Sequence, residues 1–513
     1  MVVHMAATAG RPKPIGPRGG AVIRGRARAR IGLIWARPPR RDRPGRGSTM
    51  MRCGVALFRA AVFLITLTAS AGAADGSSEC RSVSALDRGG KHFFELGEVW
   101  TGVGTRVGSA ASSDGRLLLA YYDPDRWVTI SAFDPGDGRL CSFRLPSQFD
   151  GWDAHNRLEI AVSSDGLAHV VGNMHASKMF YARGPLDDIG AMRPESMIGK
   201  DENRATYPVF LKDASGRLLF MYRSGGSGDG SWLMNQWGNG RWTRIGELFA
   251  SRDARDHASA YPTPFVQGRD GEMHIAAIWR RNPDVSSNFA ITYASTRDFR
   301  NWRGEGGKTV SAPLRPETMA MVDSPGEGAG LLQSTLLLRP DGEPAIMYMR
   351  YGSQGADAVF LATRDSARNW RSREIVGAAE RSSIAGRGAI PNLPHFVILD
   401  QQGAKVRFRV ALAGEDRRRF VLDLTSGAIE PDSAPPPPSR DIAMPKALKD
   451  GLADVVAYHG KVLKNGAESE SVVGALQWFA QRANHDRPRE CSSNAPLACR
   501  PPASPLYYIP DAR

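Results

Sequence analysis

The run Asp114-Gly115-Arg116-Leu117-Leu118-Leu119-Ala120-Tyr121-Tyr122 sets a tight-turn dipeptide directly before an apolar, aromatic stretch of strand length. The pattern recurs. Asp165-Gly166 precedes Leu167–Asn173, Ser215-Gly216 precedes Arg217–Tyr222, and Asp270-Gly271 precedes Glu272–Trp279. Asp341-Gly342 before Glu343–Tyr348 and Gln402-Gly403 before Ala404–Val410 complete six units. Their glycines lie 51, 50, 55, 71 and 61 residues apart, a spacing that belongs to propellers and solenoids. The 341 residues from Lys91 to Pro431 divide into seven blades of about 49 residues, the seventh inferred from length. The expected fold is therefore all-β, a seven-bladed β-propeller over residues 91–431. A strand near Phe93–Val103 is expected to pair with late strands, closing the ring and removing open sheet edges.

Outside this body the sequence changes character. The 513 residues carry a net charge of +14, with 42% hydrophobic residues, too many for a disordered chain. Residues 1–49 hold twelve Lys and Arg against Asp42 alone, +11, and Arg52 and Arg59 add +2. Only about +1 is left for residues 75–513, which excludes a general nucleic-acid binder. Residues 50–74 read as a signal peptide: Arg52, an apolar run through Leu67, then Ala69-Ser70-Ala71 and Ala71-Gly72-Ala73 as cleavage candidates. That run is too short to span a membrane, so a secreted or periplasmic monomer with no membrane attachment after cleavage is expected. The Arg/Pro/Gly-rich residues 1–49 read as a mis-assigned start, translation beginning at Met50 or Met51, or as a basic disordered leader. Export puts the remaining cysteines in an oxidising compartment, where Cys80–Cys141 and Cys491–Cys499 are the simplest of three pairings. Residues 432–440, with Pro435–Pro438, read as a linker. In the 441–513 extension, Leu448, Leu452, Val455 and Val456, then Val472, Leu476, Phe479 and Ala480, fall at helical spacing.

The strand after each turn ends on a polar or charged residue at nearly constant distance. Asp123, His175, Arg223, Arg280 and Arg350 follow their glycines by eight, nine, seven, nine and eight residues. Charges at the ends of apolar strands are costly to bury unpaired, so these side chains are expected to converge on a wet mouth. Three guanidiniums there predict an anionic ligand, a carboxylate or sulfate; the alternative for each is an ion pair, with Asp123 or Asp323 as the partner. His169 and His274 lie mid-strand and read as structural, whereas His155 and His175 stand beside the mouth. Trp152, Asn156, Asn173 and Tyr261 join Asp123, Arg280 and Arg350 as expected substrate-binding residues.

Several of these stretches carry a family resemblance. Ser295-Thr296-Arg297-Asp298 to Asn301-Trp302 and Ala362-Thr363-Arg364-Asp365 to Asn369-Trp370 look like degenerate Asp-box (BNR) turns. Trp152-Asp153-Ala154-His155-Asn156, Gly172-Asn173-Met174-His175, Thr206-Tyr207-Pro208, Tyr222-Arg223 with the following Ser/Gly run, Ala260-Tyr261-Pro262 and Trp279-Arg280 occur in that order. Over most of Lys91–Trp370 the chain resembles the BNR_4-type propeller family that includes the ulvan lyases of polysaccharide lyase families 24 and 25. The resemblance implies a seven-bladed propeller that cleaves a uronate-containing, sulfated polysaccharide by β-elimination. It places the catalytic histidines at His155 and His175, the tyrosine at Tyr207 and the arginine at Arg223. Lyase members have a Cys/His segment after the Trp-Arg motif that can hold a structural zinc. Here that segment, Asn282–Phe289, has neither residue, so no zinc is expected at that place and no cofactor is expected, with a structural metal elsewhere as the alternative.

The chemistry stands without the name. β-Elimination at a 4-linked uronate needs its carboxylate neutralised, which Arg223 with a histidine can do, and a base for the C5 proton. Tyr207 beside cations, or either of His155 and His175, can serve. The alternatives are a sialidase-like hydrolase, with Asp123 and Tyr261 as candidate groups but no Phe-Arg-Ile-Pro segment, and a carbohydrate-binding propeller without turnover.

Overall fold

The computed structural model describes residues 78–250, 257–388, 390, 393–434, 441–467, 471–490 and 500–511. The expected leader, the signal segment, the Pro435–Pro438 run and the Cys491–Cys499 pair lie outside the described residues. The described chain is built almost wholly of antiparallel strands. In chain order these form successive meanders, the first being Gly108–Ala111, Leu117–Tyr122, Trp127–Phe133 and Arg139–Gln148. The second runs from Leu158–Val162 to Arg193–Pro194 and the third from Ala205–Lys212 to Arg241–Phe249. The fourth carries Ser259–Pro262, Met273–Arg280 and Asn288–Thr296; the fifth and sixth span Ser334–Leu338 to Trp370–Gly377 and His395–Gln402 to Ile429–Pro431.

All six strands expected after the turn glycines are present, each the central Leu117–Tyr122, Leu167–Gly172, Leu218–Gly226, Met273–Arg280, Pro344–Tyr351 or Lys405–Ala411 of its meander. The turns explain why. In the first five, the glycine N–H donates to the carbonyl three residues back, and the glycine sits at positive φ, from +78° to +88°. This is a type I turn followed by a left-handed residue, which costs glycine nothing and other residues about 1 kcal/mol or more. The Asp-box reading also holds locally. Asp298 Oδ1 accepts the Arg300 and Asn301 N–H groups at 2.9 and 2.7 Å, and Trp302 is fully buried against Phe265 and Phe299.

The C-terminal extension corrects the sequence reading. Its only helix among the described residues is Lys446–Gly451; Val455–Lys464, Val472–Gln481 and Ser504–Pro510 are strands. Val472–Gln481 is covered on both faces along its second half, so its apolar residues do not alternate, and their spacing imitates a helix. These strands meet the expected partner: Ser504–Pro510 pairs antiparallel with Lys91–Val99, Phe94 opposite Tyr508. Phe94, Leu96, Trp478, Leu506 and Tyr508 form one buried cluster across the joint. A two-residue parallel ladder, Leu463 and Lys464 with Ala110 and Ala111, ties this sheet to the first meander. The Cys80–Cys141 disulfide is present, fastening the edge strand Glu79–Ser82 to Arg139–Gln148. Among the described residues no helix is long and apolar enough to cross a membrane.

His169 and His274 are structural, as read from the sequence. His169 is fully buried with Nδ1 on the Tyr181 hydroxyl at 2.8 Å and Nε2 on Ser163 Oγ at 2.9 Å, and His274 Nδ1 meets the Tyr293 hydroxyl at 2.6 Å. Burial pushes His169 down to about 3 from its ordinary 6.5. The fold thus holds it neutral while an unfolded chain protonates it, so its contribution is complete above pH 6.5 and is lost as pH falls toward 3. The loss amounts to roughly 5 kcal/mol. Urea midpoints measured down this range are expected to fall, with a shallower pH slope in His169→Gln.

Candidate active site

The site is built around one strained residue. Tyr207 has φ +55°, a conformation that costs a bulky side chain about 1–3 kcal/mol. It sits in a bulge between Thr206 and Val209, where Ala205–Lys212 pairs with Leu218–Gly226. Pro208 follows, so the bulge has no second N–H to satisfy. Three contacts from the preceding meander fix it: Arg157 Nη2 donates to the Pro208 carbonyl at 2.5 Å, Ala176 N–H to Thr206 Oγ1 at 2.7 Å, and Ala205 N–H to the Ser177 carbonyl at 2.7 Å. Asn173 and Ala176, also at positive φ, shape the loop that carries His175.

The two histidines meet over a carboxylate. Asp153 Oδ1 accepts His155 Nδ1 at 2.6 Å, Oδ2 accepts His175 Nδ1, and the imidazoles stack 4.3 Å apart. Burial raises the Asp153 pKa, but the two histidine bonds outweigh it and hold the carboxyl far below its ordinary range. The Tyr207 ring lies 5.9 and 6.3 Å from the His155 and His175 rings and stacks on the fully buried Trp232 at 6.1 Å. Among the described residues the Tyr207 hydroxyl has no hydrogen-bond partner. Burial pushes its pKa above 10, and Arg223 offsets this only in part.

Arg223 lies behind the tyrosines. Its Cζ is 4.7 Å from the Tyr207 ring centre and 5.8 Å from that of Tyr261, and Nη1 donates to the Tyr261 hydroxyl at 3.4 Å. The residue is 0% exposed, and Nε and Nη2 have no partner among the described residues. Gly230 makes room for it: a Cβ there would fall 2.5 Å from Arg223 Cδ. Tyr261 takes the opposite electrostatic character to Tyr207. Burial raises it, but Arg280, 4.0 Å over its ring, Arg223, Ser227 and the Gly228 N–H together bring its pKa below the usual 10. Arg280 itself is part-exposed, donating to Asn288 Oδ1 at 2.7 Å and Ser227 Oγ at 3.4 Å.

The structure thus joins His155, His175, Tyr207, Arg223, Tyr261 and Arg280. It does not join two of the five strand-end residues. Asp123 is bound by Arg144, Thr129 Oγ1 and the Asp125 and Trp127 N–H groups, bracing its own hairpin. Arg350 donates to Asp323 Oδ2 at 2.9 Å and to the Tyr351 carbonyl at 3.0 Å, the ion-pair alternative. A like distance from the turn brought the strand ends level but left each side chain free to pair locally. The Arg223 guanidinium, expected to meet a substrate carboxylate, has no exposed surface in this structure. Asn156 caps the Asp153 turn (Nδ2 to the Asp153 carbonyl, 3.2 Å), Asn173 bridges Tyr122 and Ser147, and Trp152 packs on Trp100 at 5.1 Å with Arg126 beside it. Asp153, Ser227 and Asn288 were missed. Asp153 lies in the Trp152–Asn156 stretch, two residues before His155, and that spacing is the sequence signal for it.

Residues 282–289 do not suit zinc. They hold no Cys or His, and Asp284 ties the segment instead, accepting Ser286 N–H at 2.9 Å and Gly386 N–H at 3.0 Å.

A family model described as BNR repeat-containing family member matches residues 118–378, just over half of the chain. The chain belongs to this family. Its fold is shared with an ulvan lyase of polysaccharide lyase family 25 solved with -[GlcA(1-4)Rha3S]-, with TM-score 0.50 and 11% identity over 78% of this chain and 94% of the other. Polysaccharide lyase Uly1 is similar at TM-score 0.49 and 14% identity, over 79% and 90% of the two chains. No curated protein matches the chain. For this BNR-repeat protein the likeness establishes a propeller-like all-β fold, and the chemistry rests on its own side chains.

Proposed function

We propose that this BNR-repeat protein is a secreted polysaccharide lyase that cleaves an acidic, uronate-containing polysaccharide by β-elimination, on a propeller of seven blades. The meanders above, with Lys91–Val99 completing the C-terminal strands, are the seven blades. The Cys80–Cys141 bond supports an oxidising compartment and hence export.

One observation carries the chemical reading: an Asp153-held histidine pair faces a tyrosine whose hydroxyl has no partner among the described residues and whose ring is backed by a buried guanidinium with Nε and Nη2 unpartnered there. With Nδ1 bound to Asp153, each imidazole presents Nε2. One Nε2 takes the C5 proton, the C5–H electrons form the C4=C5 bond, and the C4–O4 bond breaks. The raised pKa of Tyr207 keeps it a phenol, so it protonates the departing O4. Arg223 stabilises the phenolate that this leaves. Proton return from imidazolium to phenolate through solvent resets the site. Arg280, the part-exposed cation, faces the uronate carboxylate. A sialidase-like arginine triad finds less support, because Arg350 is paired and Arg223 is sealed.

The test is a screen of the protein beginning at Ala74 against acidic polysaccharides. Release of the ultraviolet-absorbing unsaturated uronate is expected. New reducing ends without that chromophore would indicate hydrolysis, and binding with neither would indicate a non-catalytic propeller.

A further inference from the structure

We propose that Asp153 is a positioning residue that holds His155 and His175 in one shared tautomer, both protonated at Nδ1, so that two Nε2 lone pairs face the substrate side together. Its kinetic consequence rests on the lyase reading; the tautomer itself does not.

An ionised carboxylate can only accept hydrogen bonds. Asp153 spends one oxygen on each ring, Oδ1 on His155 Nδ1 at 2.6 Å and Oδ2 on His175 Nδ1, so both Nδ1 atoms must carry hydrogen. A neutral imidazole left to itself favours hydrogen on Nε2, and the carboxylate reverses that preference twice. The carboxylate is itself held in place. Oδ1 also accepts the His155 backbone N–H at 2.8 Å, and the Asp153 carbonyl accepts Asn156 N–H and Nδ2 at 3.1 and 3.2 Å. The rings are parallel to within 24° and come from different connections, so no local sequence feature would stack them without this bridge. The strand-end acids Asp123 and Asp323 are engaged elsewhere, by Arg144 and Arg350. The same His-His-Asp set has ligand atoms within 4.8 Å of one another, close enough for a divalent ion, and this is the rival arrangement.

Imidazole ¹⁵N NMR of the protein separates the two, with His155→Gln and His175→Gln assigning the signals. At mildly alkaline pH the wild type is expected to show both rings as the Nδ1–H tautomer, a measurement that needs no carboxylate variant. Asp153→Ala is expected to return both to Nε2–H, Asp153→Asn to return only the ring that faces its amide nitrogen, and Asp153→Glu to keep at least one as Nδ1–H. With a substrate found in the screen, Asp153→Asn is expected to lower kcat by about 10²–10⁴-fold with KM changed less than about threefold. Nε2–H rings in the wild type, or tautomers unmoved by Asp153→Ala, would overturn the proposal. So would stoichiometric binding of added zinc chloride that Asp153→Ala abolishes. If no polysaccharide is cleaved, the lyase reading fails while the tautomer result still stands or falls alone.

Discussion

Tyr207→Phe is expected to lower the rate of unsaturated-product release by about 10³-fold or more while leaving polysaccharide binding nearly intact. The departing sugar oxygen is a strong base and needs a proton as the C4–O4 bond breaks. Tyr207 offers the only hydroxyl of the cluster free of hydrogen bonds among the described residues, since that of Tyr261 is taken by Ser227 and Gly228. The substitution removes one oxygen. It leaves the ring on Trp232 and keeps the Arg157, Ala176 and Ser177 contacts that hold the strained backbone. The fold should therefore tolerate it, and thermal unfolding should move by about 2 °C or less. Product release by ultraviolet absorbance, with binding by calorimetry, checks both halves. Retained turnover would remove Tyr207 from the mechanism and leave Tyr261 as the tyrosine to test.

Arg223→Met is expected to separate function from stability. Turnover should fall by about 10²–10³-fold, because the positive charge 4.7 Å from the Tyr207 ring no longer stabilises the forming phenolate. Stability should nevertheless rise by about 1–3 kcal/mol. A sealed guanidinium with Nε and Nη2 unpartnered costs the fold its desolvation, and methionine fills similar length without that cost. The ionisation of Tyr261 gives an independent check. Burial raises it, but Arg280 and Arg223 dominate and hold it below 10. Loss of Arg223 should move it upward in an ultraviolet difference titration. A destabilised but active Arg223→Met would mean that the arginine serves packing alone.

What could be read before coordinates follows from which interactions are local. The turn glycines repeat because a left-handed residue is needed at each hairpin, so six central strands were legible one hairpin at a time. The Asp298 brace was legible for the same reason. Val472–Gln481 was not, because burial on both faces erases the alternation that marks a strand. At the site, residue types and order brought His155, His175, Tyr207 and Arg223 forward. The fates of Asp123 and Arg350 depend on Arg144 and Asp323, partners across a hairpin or 27 residues away, which position along a strand does not specify. The burial of Arg223 depends likewise on Gly230, a residue chosen for what it lacks.

The antiparallel joint between Lys91–Val99 and Ser504–Pro510 has a consequence for biosynthesis. Phe94 must wait for Tyr508, so on the ribosome its partner arrives only after nearly all the chain has been made. As synthesis proceeds the earlier hairpins can form as they emerge, whereas the Lys91–Val99 edge stays unpaired, open to chaperones and to misassociation. A nascent chain stalled before residue 504 should therefore remain protease-sensitive at its N-terminal strand and become resistant only when the last strand is released.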